Sequence, residues 1–90
     1  MMTIWKLTLG AAGDQVFRLP RGAKFLCVKT QHDVLSLWFM FDLANRDMLE
    51  PREIRIYGTA HHIADEKLVY IGTALLFHDD LVLHVFEAKP

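Results

Sequence analysis

Apolar and polar positions fall into seven short runs, broken by turn residues every eight to twelve positions. That spacing predicts an all-β sandwich or barrel. Neighbouring side chains of an extended strand point to opposite faces, so each run splits into two faces. Thr3–Leu9 sets Trp5, Leu7 and Leu9 against Thr3 and Thr8, with Lys6 also outward. Gly10 to Asp14 breaks the run, and Gln15–Leu19 then opposes Val16 to Phe17 and Leu19. Pro20-Arg21-Gly22 predicts a turn, because proline presets φ and glycine permits positive φ. Ala23–Gln31 follows, with Leu26 and Val28 opposed to Phe25 and Cys27, and His32-Asp33 reads as a tight hairpin turn.

Val34–Phe41 is apolar on both faces, with Val34, Trp38 and Met40 on one and Leu35, Leu37, Phe39 and Phe41 on the other. Such a strand is either central in a sheet or half covered by a second chain. Asp42–Arg52 is the longest irregular stretch and carries Arg46 and Arg52; it predicts a solvated connector with one turn of helix. Glu53–Ala60 is the fifth strand, with Ile54 and Ile56 inward and Arg55 and Tyr57 opposite. His61–Lys67 is a further loop. Leu68–His78 and Leu81–Glu87 make a last hairpin around Asp79-Asp80. The architecture expected is a single domain over residues 1–90, an antiparallel sandwich or flattened barrel of about seven strands.

Composition narrows the function classes. Ninety residues make one domain. Apolar residues are 52% and charged ones 23%, which excludes a disordered tail. Ten basic residues against eleven acidic ones give a net charge of -1, so the chain lacks the strong basic footprint of a nucleic-acid binder. The longest apolar run is too short for a membrane helix, which needs about 20 residues. Lone Cys27 rules out an internal disulfide framework. A reduced, cytosolic protein is expected.

No residue pattern supplies a reaction centre. His61 and His62 are adjacent, so in extended chain they point apart and chelate no common ion. Ser36, the single serine, lies inside the most apolar strand rather than on an exposed elbow. Cys27 sits mid-strand, where cysteine behaves as a small hydrophobe. No glycine-rich phosphate loop occurs, and Asp65-Glu66 and Asp79-Asp80 read as solvated turn acids. Neither a catalytic residue, a metal site nor a cofactor is called for. The remaining signal is apolar surface in excess of what a small interior needs, at Leu35–Phe41 and Leu81–Phe86. Trp, Met and Phe are enriched in interfaces, so both self-association and a partner surface are open.

Thr3-Ile4-Trp5-Lys6, then Leu19-Pro20-Arg21-Gly22-Ala23-Lys24-Phe25-Leu26-Cys27-Val28, resemble the motifs of a family of small uncharacterised proteins from tailed bacteriophages and prophages. The resemblance continues through Leu37-Trp38, Ile54–His61, Tyr70-Ile71-Gly72-Thr73 and Val85-Phe86-Glu87. The family usually carries proline where this chain has His62. The resemblance implies a small phage-encoded β-protein acting in the host cytoplasm. It implies no activity and transfers no catalytic residue.

The function expected is therefore a non-enzymatic binding module of phage origin that engages a host or phage protein. Inhibition of a host enzyme or a defence system, as by anti-CRISPR proteins, is one form of it. A homodimer is compatible; nucleic acid and membrane are not expected partners. Trp38 and Met40 on the apolar strand, Arg46, Arg52 and His61 on loops, and Arg55 and Tyr57 on the fifth strand are the candidate binding residues. One alternative is a small-ligand or nucleotide sequestering protein, with a pocket of Trp5, Trp38 or Tyr57 beside Arg55, Arg46 or His61. The other is a virion decoration or tail accessory protein.

Overall fold

The computed structural model describes residues 1–63 and 67–89. Seven strands follow one another among them: β1 (Met2–Thr8), β2 (Gly13–Pro20), β3 (Lys24–Gln31), β4 (Val34–Asp42), β5 (Leu49–Gly58), β6 (Leu68–Leu76) and β7 (Leu81–Ala88). They form a three-stranded sheet, β1-β4-β3, and a four-stranded sheet, β2-β5-β7-β6, with every neighbouring pair antiparallel. The chain is all-β, as the alternation predicts.

The inner faces make the core. Leu35, Leu37, Phe39 and Phe41 of β4 are buried, as are Ile54 and Ile56 of β5. Leu37, Ile54 and Val85 have no exposed surface, and full burial of such side chains is worth about 1.5–3 kcal/mol each. One cluster joins Leu35 and Leu37 to Ala74, Leu76, Leu83 and Val85. The second joins Phe39 and Phe41 to Leu19 of β2. β4 therefore lies diagonally over the four-stranded sheet, one end above β6 and β7, the other above β2.

The two sheets meet along β3 and β6. Thr30 Oγ1 donates to the Leu75 carbonyl across the seam. A Cβ on Gly72 would lie 3.2 Å from Val28 Cβ and 3.4 Å from its backbone nitrogen, so a side chain there would have to push Val28 back by a few tenths of an ångström. Both strands are bulged beside the seam, β3 between Phe25 and Cys27 and β6 between Tyr70 and Gly72. A bulge bends its strand and sharpens its twist, which turns the two edges toward each other.

Turn chemistry decides the connections. His32 and Asp33 both have positive φ, 51° and 60°, the signature of a two-residue type I′ hairpin. The Pro20–Ala23 turn closes by Ala23 N–H to Pro20 C=O at 3.1 Å, with Gly22 at φ 77°. Pro20 is thus the last residue of β2 and precedes the central pair of the turn.

Four expected boundaries differ by two residues or more. β2 begins at Gly13, two residues before Gln15. The connector expected at Asp42–Arg52 is shorter: a 3-10 turn spans Leu43–Asn45, and β5 begins at Leu49. Leu49–Arg52 pairs with β2 alone, because the β7 ladder starts at Glu53. Pro51 is tolerated there, where one side of the strand has no neighbour. β6 ends at Leu76 instead of His78, and Phe77, His78 and Asp79 turn with φ of 53°, 54° and 69°. β5 ends at Gly58 instead of Ala60, where His61 N–H bonds to Gly58 C=O at 3.2 Å. Of the expected His61–Lys67 loop, residues 64–66 lie outside the described residues.

Replacing Gly72 by valine forces three carbons into the β3–β6 seam. The substitution is expected to cost about 1–3 kcal/mol, read as a lower urea midpoint at unchanged slope. A neutral outcome would show that the seam is not close-packed.

Candidate functional site

Trp38 and Met40 stand on the outer face of the three-stranded sheet. Antiparallel register places them in rows: Ile4, Met40 and Lys24; then Lys6, Trp38 and Cys27; then Thr8, Ser36 and Lys29. Ile4, Leu26 and Val34 are exposed, and Trp38, Met40 and Cys27 are half-buried. Lys24 and Lys29 flank this apolar centre and are exposed. Lys6 reaches across β4 and donates from Nζ to Gln31 Oε1 at 2.7 Å. Ser36 is only 1% exposed although it faces outward. The face is thus apolar with a cationic rim.

Arg55 and Tyr57 lie on the opposite surface of the molecule, the outer face of the four-stranded sheet. Arg55 Nε bonds to Glu53 Oε1 at 3.1 Å and approaches Asp14 Oδ1 at 3.4 Å. Hydrogen bonding to Glu53, and then to Tyr57, holds the guanidinium further above its ordinary range. Tyr57 and Tyr70 both stand edge-on to Phe86, with centroids 5.9 and 5.5 Å apart. Beside them runs a polar chain that sequence reasoning missed: Tyr70 Oη to Thr73 Oγ1 at 2.6 Å, Thr73 Oγ1 to His84 Nδ1 at 3.0 Å, and His84 Nε2 to Thr59 Oγ1 at 3.0 Å. The signal that could have found it is the cross-strand pair Thr73–His84.

Arg52 is not on a loop. It sits in β5 with its side chain turned into the end of the sandwich. Nε and Nη2 grip the Glu87 carboxylate of β7 bidentately, the Nη2–Oε1 distance being 3.0 Å. Nη1 donates to the Ala23 carbonyl at 2.8 Å, and the guanidinium carbon lies 4.6 Å from the Phe25 ring centroid. Lys89 Nζ adds a third bond to Glu87, at 3.1 Å. Grooves of about 720 and 330 Å³ flank this cluster, and all its buried polar atoms are partnered.

Arg46 follows the 3-10 turn and is exposed, 3.7 Å from Asp47. His61 folds back on the β5 terminus, where its Nδ1 accepts the Gly58 N–H at 3.0 Å. The ring lies so close that a Cβ on Gly58 would come within 2.8 Å of it. The seven candidate residues therefore occupy separate places. Trp38 and Met40 share one face, Arg55 and Tyr57 the other, and Arg52, Arg46 and His61 lie apart from both. Trp38 belongs to the three-stranded sheet and Arg55 and Tyr57 to the four-stranded one, so the expected pocket of these residues is not assembled on one face. Among the described residues, no three His, Cys, Asp or Glu side chains converge as metal ligands.

Burial pushes the Glu87 carboxyl upward, but hydrogen bonds from Arg52 and Lys89 outweigh it and leave its pKa below the ordinary 4.5. A depressed carboxylate stabilises the fold above its unfolded pKa, and that contribution is lost as pH falls through the folded value. Asp42, lowered by the Ala44 N–H and then by the N-terminal ammonium, acts in the same direction from 3.8. Stability should therefore decline as pH drops below 4.5, and Glu87→Gln should flatten that decline. Arg52→Met strands a buried carboxylate and should cost about 3 kcal/mol at pH 7. Denaturant midpoints across pH 2–7 check both; an unchanged profile in Glu87→Gln would remove Glu87 as the titrating group.

No curated protein and no solved structure matches the chain. One family model does, over residues 1–90, and it is described as a domain of unknown function. Since the match spans the whole length, the chain belongs to that family, DUF7352.

Proposed function

We propose that this chain is a phage-encoded interaction protein with no reaction of its own. It acts in the host cytoplasm on a host or phage protein, and inhibition of a host enzyme or defence system is the form of action that suits its size. The resemblance of its motifs to small phage and prophage proteins supports the origin. One observation carries the mode of action: the outer face of β1-β4-β3. There Ile4, Leu26, Trp38 and Met40 present apolar surface within a ring of Lys6, Lys24 and Lys29.

A contiguous apolar patch with a polar rim is the surface type that marks a protein interface. Trp38 is the natural anchor, because buried tryptophan is among the residues that dominate binding energy. The lysine rim selects a partner whose own apolar patch is bordered by acids. Opposite charges speed encounter and suppress wrong partners, and the effect weakens as salt rises. The other large face suits this role less well. Its Arg55 is already engaged by Glu53 and Asp14, and its aromatic rings are packed edge-on against one another.

Immobilised chain should capture a discrete protein from lysate of infected cells. Once that protein is purified, Trp38→Glu combined with Met40→Glu should weaken its binding at least about a hundredfold. Arg46→Ala, remote from this face, should leave binding unchanged. Circular dichroism establishes that the variants fold. Binding that survives the double substitution would overturn the assignment of this face, and turnover of a substrate by the purified chain would overturn the reading as a whole.

A further inference from the structure

The two sheets have four edge strands. Natural proteins guard such edges, because a row of unpaired N–H and C=O groups recruits another strand. Three of the edges here are guarded. β3 and β6 are bulged and close on each other across the Gly72–Val28 seam. β2 carries Asp14 and Arg18 on its outer face and ends in Pro20. β1 has none of these devices. It pairs with β4 over seven residues without a register shift, and it contains no proline. Its single charge, Lys6, is drawn inward over β4 to Gln31, away from the edge.

Hydrogen-bond parity identifies the free groups. Leu43 N–H bonds to Met1 C=O and Leu9 N–H to Leu35 C=O, so the odd-numbered residues of β1 face β4. In an antiparallel ladder the alternate residues then direct N–H and C=O the other way. Met2, Ile4, Lys6 and Thr8 therefore present four donors and four acceptors along the open edge.

We infer that this edge pairs with β1 of a second copy of the chain, antiparallel about a two-fold axis at Trp5. The register is nearly dictated. A two-fold pairs residues whose numbers sum to a constant, and only a centre at Trp5 lets all four outward residues bond one another. Met2 then faces Thr8 of the second copy, and Ile4 faces Lys6. Each of these residues exchanges two bonds with its opposite, which makes eight across the interface. A centre at Ile4 leaves Thr8 unpaired, and a centre at Lys6 leaves Met2 unpaired. At the Trp5 centre no charge faces a like charge.

Trp5 also fits this place. Its ring stands edge-on to Phe41, with centroids 4.7 Å apart, yet the residue is 44% exposed although it lies on the inner face. The four-stranded sheet thus leaves the space beneath this edge uncovered. In the inferred dimer Trp5 and its symmetry mate form a non-hydrogen-bonded pair, the kind in which opposed side chains approach most closely. Ile4, 54% exposed, covers the stem of Lys6 of the second copy on the outer face.

Sedimentation velocity from about 1 μM to about 1 mM should show a species of twice the 10.4 kDa chain mass growing with concentration. Ile4→Pro removes an outward N–H without breaking the bonds to β4, and Ile4→Lys replaces the apolar cover of the second copy's Lys6 stem with a charged side chain. Each should raise the dissociation constant at least about tenfold. Hydrogen exchange on the unmodified protein reads the register: the Met2, Ile4, Lys6 and Thr8 amides should be protected at high concentration and exchange freely on dilution. A monomer at every concentration overturns the inference. So does a dimer whose even-numbered β1 amides stay unprotected, or one indifferent to both substitutions. The exchange measurement decides even if a variant fails to fold.

Discussion

The pairing of Arg52 with Glu87 is the interaction on which the open end of this sandwich depends. Both residues belong to the four-stranded sheet and both point inward, where every other strand offers apolar side chains. Arg52 continues past its carboxylate partner to the Ala23 carbonyl and the face of Phe25, both outside its own sheet. A buried ion pair adds little net stability over a well-packed apolar replacement, because desolvation offsets most of its attraction. Its consequence is geometric. The planar guanidinium binds three groups in fixed directions, so the β2–β3 turn and the start of β3 can seat in only one way. Glu50 Oε1 receives the Gly22 N–H at 3.2 Å and secures the same turn from the other side.

Much of this fold is legible in the sequence because strand alternation is local physics. The faces of β4 and β5 follow directly from parity, and Ile54, Ile56, Leu35 and Leu37 point where the pattern puts them. The misplacements have particular causes. Arg52 follows a proline and lies among acids, so it reads as loop; its strand is recognisable only once β2 is seen pairing with it. The last hairpin shows a subtler failure. A two-residue turn at Asp79-Asp80 would set His84 opposite Leu75, whereas the wider turn at Phe77–Asp80 sets it opposite Thr73. A slip of two residues keeps every side chain on its face, so the core expectation survives while the neighbours on the surface change. That is why the buried residues were readable and the Tyr70–Thr73–His84–Thr59 chain was not.

The candidate site was legible by half for the same reason. Trp38 and Met40 belong on an outer face because Leu37 and Phe39 belong inside. What no single strand reveals is the company they keep. Lys24, Lys29 and Ile4 reach that face through the register of β3 and β1 against β4, which rests on long-range pairing. Arg55 and Tyr57 fall on the opposite surface although they lie in sequence near Arg52. Grouping candidate residues by chemistry alone therefore merged places that the sheet order keeps separate.

The edge and the face of the three-stranded sheet are not independent. A two-fold axis between two antiparallel strands runs perpendicular to the sheet, so a β1–β1 pairing keeps the outer faces of both copies on one side. The result is a six-stranded sheet in the order β3-β4-β1-β1-β4-β3, with two Trp38 side chains and two lysine rims on a continuous surface. Ile4 and Lys6 stand at its centre, where the two patches merge. A partner with paired acidic-rimmed patches would then be held at two points. The second contact forms at the high effective concentration set by the first, and affinity rises without any new kind of contact. The same arrangement explains why an exposed apolar face need not be an aggregation liability: closing β1 on itself consumes the last unguarded edge, and the surface that remains is ringed with charge.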